Sequence, residues 1–323
     1  VTSAEVSSDG EYIVSGSSDK LVRIWNMATK KEIVRMHHKG FVTDVAFSPD
    51  GNFVVSGSRD KTARVWKAAT GLEIISIQFS QEVSSVAFSS SGSYIAASSG
   101  NSVYVWDIVK DKEVFQLSGE ESVGDVSFSP NDKYIVFGGQ DNHAVIWDIV
   151  TRQEFAKIDF TGNVLSVAFS PDERYVAAGS KDNSVRVFDL SSKSEVLHFT
   201  HDQFVSAIVF SSDSKLVASG SEDGVVKVWD IHTGKEIGYM QHENAVLSVA
   251  FSLDGHLLIS GSRDNTVHKW LYRSDDLISY SCSRVTRNLT RAEWQQYIGD
   301  ALPFQAVCPN LPIEPEPTAT PSP

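Results

Sequence analysis

A valine recurs at Val1, Val42, Val83, Val123, Val164, Val205 and Val246, at intervals of 41, 41, 40, 41, 41 and 41 residues, each time at the head of a segment with the same layout. A period of this length held over seven copies admits repeated supersecondary units, which means a solenoid, an array or a propeller. In the second copy, VTDVAFSPDGNFVVSGSRDKTARVW (42–66), apolar and polar residues alternate, with Asp44 reading as outward. The alternation breaks at Ser48-Pro49-Asp50-Gly51 and then resumes. A period of two means strands rather than helices. Pro, Asp and Gly in the break set a tight turn between antiparallel neighbours.

Each unit supplies three strands, and a fourth is expected at Glu32–Met36, Glu73–Ile77, Glu113–Leu117, Glu154–Ile158, Glu195–Phe199 and Glu236–Met240. Seven four-stranded units read as radial blades around a channel, an arrangement that leaves few open sheet edges. The expectation is an all-β, seven-bladed β-propeller over 1–271, with repeats starting near 1, 42, 83, 123, 164, 205 and 246. A helical extension follows over 272–309, then a disordered Pro-rich tail over 310–323. Hydrophobic residues make up 41% of the chain, enough for a large core.

The units resemble WD repeats. A Ser-Gly-Ser-x-Asp run, in whole or in part, precedes an aromatic six residues after the Asp: Asp19 with Trp25, Asp60 with Trp66, Asp141 with Trp147, Asp182 with Phe188, Asp223 with Trp229 and Asp264 with Trp270. The Trp-Asp pair itself stands at Trp106-Asp107, Trp147-Asp148 and Trp229-Asp230. The third unit departs from the pattern: its turn, Ser99-Gly100-Asn101, is one residue shorter and lacks the Asp. Enzymatic propellers share the Ser-Pro-Asp-Gly turn but not this repeated Asp-to-Trp arrangement.

The resemblance implies a hydrogen-bonded relay of His, Ser, Asp and Trp inside each blade. Three complete sets occur: His38, Ser56, Asp60, Trp66; His201, Ser219, Asp223, Trp229; and His242, Ser260, Asp264, Trp270. His, Ser and Asp together also suit nucleophilic chemistry. An active site occurs once, however, while this set recurs, so bracing is the expected role and no residue is assigned to catalysis. Phe79, Gly119 and Phe160 replace the His in the middle blades, and Phe137 and Ala178 replace the Ser. Apolar packing should hold those blades.

Blades stacked as in WD repeats would put the residues flanking each anchor valine, and the residue before each turn Asp, on the narrow face around the channel mouth. Phe41, Arg59, Lys181, Phe204, Leu247 and Arg263 are the expected partner-binding residues, accompanied by Thr43, Glu82, Ser84, Gln140, Leu165, Ser206 and Glu222. Blades 7, 1 and 2 adjoin once the ring closes, which would gather Arg263, Arg59, Phe41 and Leu247 into one patch of the composition found in binding hot spots. Scattered surface residues are the alternative.

After Trp270 two helices are expected. Ser274 or Asp275 caps the first, which carries Leu277, Ser281 and Val285 on one face with Ile278 and Cys282 beside them. Thr290 and Glu293 form a capping box for the second, Trp294, Tyr297 and Ile298 its apolar stripe, and Gly299 its end. A strand over 277–282 is the alternative. If the segment is helical, blade 7 has three strands of its own, and the WD-repeat resemblance implies an outer strand supplied from before Val1. Cys282 and Cys308 read as buried free thiols in a reducing compartment, with pairing as the alternative. The segment from Cys282 through 288–290, Glu293-Trp294, Tyr297 and Cys308-Pro309 is similar to the ending of bacterial multidomain WD-repeat proteins, which implies an effector domain upstream. A chain opening at Val1 reads as part of something longer.

A net charge of −13 disfavours nucleic acid and anionic membranes as partners. No apolar run spans a bilayer and no signal peptide opens the chain, so a cytoplasmic location is expected. No metal motif, phosphate-cradling loop or cofactor signature occurs, and the adjoining His37 and His38 face apart on a strand. The function expected is a non-catalytic protein-interaction or sensing module regulating an upstream effector. The alternatives are a constitutive scaffold, or an enzymatic propeller of hydrolase or lactonase type. The enzyme would need one asymmetric cluster of carboxylates and histidines at the channel.

Overall fold

The computed structural model describes residues 1–252, 254–298 and 304–313, without the side chain of Ser274. Two compact units result, Val1–Lys269 and Trp270–Pro323. The first is a seven-bladed β-propeller. Six blades are four-stranded antiparallel meanders, and among the described residues blade 7 has three strands. Blade 1 runs Ser3–Val6, Tyr12–Gly16, Leu21–Asn26 and Lys31–His37, and blade 2 runs Val42–Phe47, Phe53–Ser58, Thr62–Lys67 and Glu73–Gln78. The strands Val246–Phe251, Leu257–Ser262 and Val267–Leu271 make blade 7.

The turns form where the Ser-Pro-Asp-Gly runs place them. Ser48 Oγ donates to Asp50 Oδ1 at 2.5 Å and accepts the Phe53 amide at 2.9 Å, while Gly51, at φ 69°, turns its amide back onto the Ser48 carbonyl. That left-handed position favours glycine because it has no Cβ to clash. The side chain of Ser48 is thereby buried with every polar atom engaged.

The core lies between blades. Val14, Val22, Ile24 and Met36 of blade 1 pack with Val42, Val45 and Val54 of blade 2 in one cluster, and similar clusters bridge the later blades. The anchor valines explain the period. A Cβ on Gly16 would stand 2.6 Å from Val42 Cγ1, and one on Gly57, Gly179 or Gly220 would stand 2.6–2.7 Å from the anchor valine of the following blade. The missing Cβ lets each valine close onto its neighbour.

The seam between blades 7 and 1 is not packed in this way. A Cβ on Gly261 would meet nothing within 4 Å, and Val1 is 83% exposed where Val42 is fully buried. Blades 7 and 1, expected to be neighbours in the ring, are thus not closed by a glycine against a buried valine.

The second unit contains α1 (Ser274–Cys282) and α2 (Arg291–Tyr297). Residues 277–282 are helical, so the strand alternative is not adopted. The N-cap of α1 is Arg273, with no side-chain cap, rather than Ser274 or Asp275; Asp275 and Asp276 lie in the first turn, where negative charge suits the helix dipole. Val285 lies beyond the helix end. The capping box of α2 forms between Thr290 and Glu293. Cys282 and Cys308 are joined in a disulfide, which corrects the expectation of free thiols. Asn288 closes the same loop: its amide donates to the Cys308 and Leu311 carbonyls at 2.8 and 2.7 Å and its oxygen accepts the Cys308 amide at 2.8 Å. Gly299 and residues 314–323, most of the expected disordered tail, lie outside the described residues. No helix among the described residues is long and apolar enough to cross a membrane.

Candidate functional site

One irregularity repeated along the ring positions the candidate side chains. In blades 2 to 7 the register between the first two strands slips just after the anchor valine: Val42 pairs with Ser58, but Asp44 pairs with Gly57, leaving Thr43 unpaired. Such a bulge re-aims side chains. It leaves the residue after the valine out of the register and turns the next one, Asp44, Ser85 or Asp125, into the wall of a cavity.

Phe41, Phe204 and Leu247, the apolar residues expected to bind a partner, are 44%, 44% and 42% exposed, large values for apolar side chains. The Arg59 guanidinium lies 5.7 Å from the centre of the Phe41 ring and 3.6 Å from Glu82 of blade 3. Lys181 Nζ of blade 5 lies 5.9 Å from the ring of Phe204 on blade 6. Arg263 pairs bidentately with Glu222 of blade 6, at 2.8 and 2.9 Å. Arg59 and Arg263 thus lean toward opposite neighbours, one to blade 3 and the other to blade 6. Thr43 and Ser206 spend their hydroxyls on the carbonyls of Val83 and Val246 in the following blades. Ser84 and Gln140 are exposed, and Leu165 is half-buried.

The relay residues meet in blade 2. Trp66 Nε1 donates to Ser56 Oγ at 2.7 Å, Ser56 Oγ stands 2.7 Å from His38 Nε2, and His38 Nδ1 stands 3.0 Å from Asp60 Oδ2. One tautomer satisfies every atom: the Ser56 proton goes to Nε2 and the Nδ1 proton to Asp60. Burial pushes His38 below the ordinary imidazole value against the opposing pull of Asp60, which favours the neutral ring. Burial works to raise Asp60, but hydrogen bonds from Thr62, the Lys39 amide and His38 hold it well below the usual carboxylate range.

Blade 6 repeats this only in part. His201 reaches Ser219 at 2.7 Å and Asp223 at 3.3 Å, and burial lowers its pKa to about 4. Trp229, expected to complete the set, stacks on Phe199 at 4.1 Å, and its buried Nε1 has no partner. In blade 7 His242 lies 2.6 Å from Ser260 and 2.9 Å from Asp264. Trp270 falls in the second compact unit. Trp147, whose blade has Phe137 in place of the Ser, also has an unpartnered buried Nε1.

Sequence reasoning missed the channel wall. A cavity of about 480 Å³ is lined by the inner strands of blades 1 to 4, with Ser3, Glu5, Asp44, Ser85 and Asp125 as its polar groups near the seams. Asp44, read as outward from strict alternation, is turned inward by the bulge and accepts Ser3 Oγ at 2.7 Å, Ser85 Oγ at 3.0 Å and the amides of Val45 and Val86, both at 2.9 Å. Glu5 opens on the cavity and accepts the Phe47 amide at 2.6 Å; the surrounding protein, followed by the Asp44 charge, raises its pKa to about 7 despite that bond. The only sequence signal was an acid at one register position in blades 2 and 4, visible only once the bulge is known. The carboxylate half of the asymmetric cluster that an enzyme would need is present. No His lines the cavity, and no group of three or more His, Cys, Asp or Glu among the described residues is arranged to hold a metal.

The family model of the WD domain, G-beta repeat matches residues 1–26 and 30–67. That of the Nucleolar protein 10-like, N-terminal domain, a β-propeller, matches residues 89–272. No curated protein matches the chain. Seven blades of one design, the WD-repeat match over the first of them and the second match over more than half of the 323 residues place the chain in a family: it belongs to the β-propellers of the Nucleolar protein 10-like, N-terminal domain kind, built from WD repeats.

Proposed function

We propose that the propeller is a non-catalytic protein-interaction module that reads its partner on the narrow face and acts as the sensing part of a longer polypeptide carrying an effector. WD propellers generally mediate protein–protein contacts. The observation that carries the reading is the contrast between frame and face. The frame repeats from blade to blade, while the positions flanking the anchor valines and preceding the turn Asp vary between blades and present Phe41 with Arg59, Lys181 with Phe204, and Leu247, all exposed. Exposed aromatic and cationic side chains held on rigid strands are typical anchors for a protein partner. The His, Ser and Asp side chains that could suggest hydrolysis are spent on one another inside blades 2, 6 and 7, which supports bracing. The partner is a protein rather than nucleic acid or a membrane surface, which fits the net charge of −13. The Cys282–Cys308 bond favours an oxidising environment over the cytoplasmic expectation, since cytosolic reductants keep thiols reduced.

The test is affinity capture from the native source with immobilised wild-type chain and with a Phe41→Ala, Phe204→Ala double variant of unchanged circular dichroism. Proteins that bind the wild type and are lost with the variant support the narrow-face reading. Undiminished capture removes it.

A further inference from the structure

The hydroxyl of Ser85, on the inner strand of blade 3, lies between two acids. It stands 3.0 Å from Asp44 Oδ2 of blade 2 and 2.9 Å from Asp125 Oδ1 of blade 4. A serine hydroxyl carries one proton and can donate to only one of them. For the other contact to be attractive, that carboxyl must carry a proton and donate it to the serine oxygen. With both acids ionised, one of the two contacts sets a serine lone pair against an anion.

The remaining hydrogen bonds show which acid holds the proton. Burial raises Asp44 as well, but Asp44 accepts from Ser3 and from the Val45 and Val86 amides in addition to Ser85, and this larger set of donors works against that rise and favours its carboxylate over that of Asp125. Asp125 accepts only the amides of Val126 and Val167, each at 2.9 Å. No cation offsets two charges here. The ionisable groups lining the cavity are Glu5, Asp44 and Asp125, and none of its lining residues is Lys, Arg or His. The inner strands Val83–Phe88 and Val164–Phe169 bring none, and the second strands of blades 1 to 5 bring only Tyr12, Tyr94, Tyr134 and Tyr175, packed in the blade cores.

We propose that Asp125 is held as a carboxylic acid in the folded ring, donating through Ser85 to the ionised Asp44, so that loss of its proton loosens the seams joining blades 2, 3 and 4. The chain of donors runs Asp125 to Ser85 to Asp44, with Ser3 of blade 1 donating to Asp44 from the other side. It ties four consecutive blades along the channel wall and makes the grip between them pH-sensitive. Burial followed by the charge of Asp44 raises Asp125 to about 6, which agrees with the hydrogen-bond count. An acid raised above its unfolded value binds more protons in the folded state. Its contribution is therefore present at low pH and fades as pH rises through about 6.

The test is carbon-13 NMR of the aspartate carboxyl carbons in the full chain across this range, with Asp125→Asn to assign the resonance. The expected result is an Asp125 carboxyl that titrates near pH 6, about two units above an ordinary aspartate. In the variant, whose amide N–H donates to Ser85 at every pH, the fall in stability between about pH 4 and 7 should shrink. Titration of Asp125 near 4 overturns the proposal. If Asp125→Asn does not fold, Glu5→Gln and Asp44→Asn spectra assign the remaining resonances by elimination, and the wild-type curve decides.

Discussion

Ser56 and Ser219 occupy the same place in blades 2 and 6, yet removing their hydroxyls should not cost the same. Ser56 Oγ accepts Trp66 Nε1–H and donates to His38 Nε2, both at 2.7 Å, and both partners are buried. Ser56→Ala leaves one buried donor and one buried acceptor without partners. At about 1–3 kcal/mol for each stranded group, the loss is about 2–6 kcal/mol. Ser219 serves His201 alone, because Trp229 is already turned onto Phe199. Ser219→Ala strands a single nitrogen, for about 1–3 kcal/mol. Blade 2 should lose more than blade 6 by about 1–3 kcal/mol, one stranded indole N–H.

Urea unfolding followed by circular dichroism compares the midpoints of the two variants with wild type, with an unchanged slope showing that the difference is one of stability. Hydrogen exchange in the strands Phe53–Ser58 and Leu216–Ser221 localises it, since blades can open separately. Equal losses in the two blades would refute the reasoning, because they would mean that the indole contact in blade 2 carries no weight.

Gly220→Ala should destabilise by about 1–3 kcal/mol through overpacking, because the new Cβ stands 2.6 Å from Val246 Cγ1, whereas Gly261→Ala, which meets nothing within 4 Å, should be neutral or slightly stabilising; thermal melts of the pair check this. Cys282→Ser should remove about 3.5 kcal/mol of loop restraint on the second unit, given the 26-residue separation of the paired cysteines, and limited proteolysis should then cut first within 283–307. His201 is pushed by burial from the ordinary imidazole value of 6.5 down to about 4, so the unfolded chain takes up its proton first as pH falls; the stability difference between wild type and His201→Gln should shrink from about pH 6.5 towards 4, and proton NMR should show the His201 ring titrating near 4.

The blades were legible because their signals are local and repeated. Alternation marks the strands, Ser48-Pro49-Asp50-Gly51 marks a turn, and seven anchor valines fix the period. The box at Thr290 and Glu293 was equally local. What was misread depends on contacts distant in sequence. Nothing near Trp229 announces that its ring will stack on Phe199, on the outer strand of the preceding blade, instead of joining the relay. The pairing of Cys282 with Cys308 depends on how Asn288 folds the loop between them. Asp44 was placed outward because alternation was carried through a bulge that shifts the face by one residue.

The same bulge gives the ring two unlike halves. The position two residues after each anchor valine reads Ser3, Asp44, Ser85, Asp125, Ser166, Ala207 and Ser248. From blade 1 to blade 5 these side chains bond across the seams: Ser3 to Asp44, Ser85 to both acids, Asp125 to the Val167 amide, and Ser166 to the Ile208 amide at 3.2 Å. Ala207 has no polar atom to offer blade 7, and beyond it lies the seam where Gly261 meets nothing. The seam between blades 6 and 7 instead carries the Ser206 hydroxyl on the Val246 carbonyl and the Arg263–Glu222 pair, and the seam between blades 7 and 1 lacks the glycine-to-valine closure seen at Gly16, Gly57, Gly179 and Gly220. On the channel wall the side-chain bonds at this position are therefore densest across blades 1 to 4 and thin out toward blade 7. Opening should begin at the seam between blades 7 and 1, where Gly261 meets nothing and Val1 is exposed, and hydrogen exchange faster in Ser3–Val6 than in Val83–Phe88 checks this.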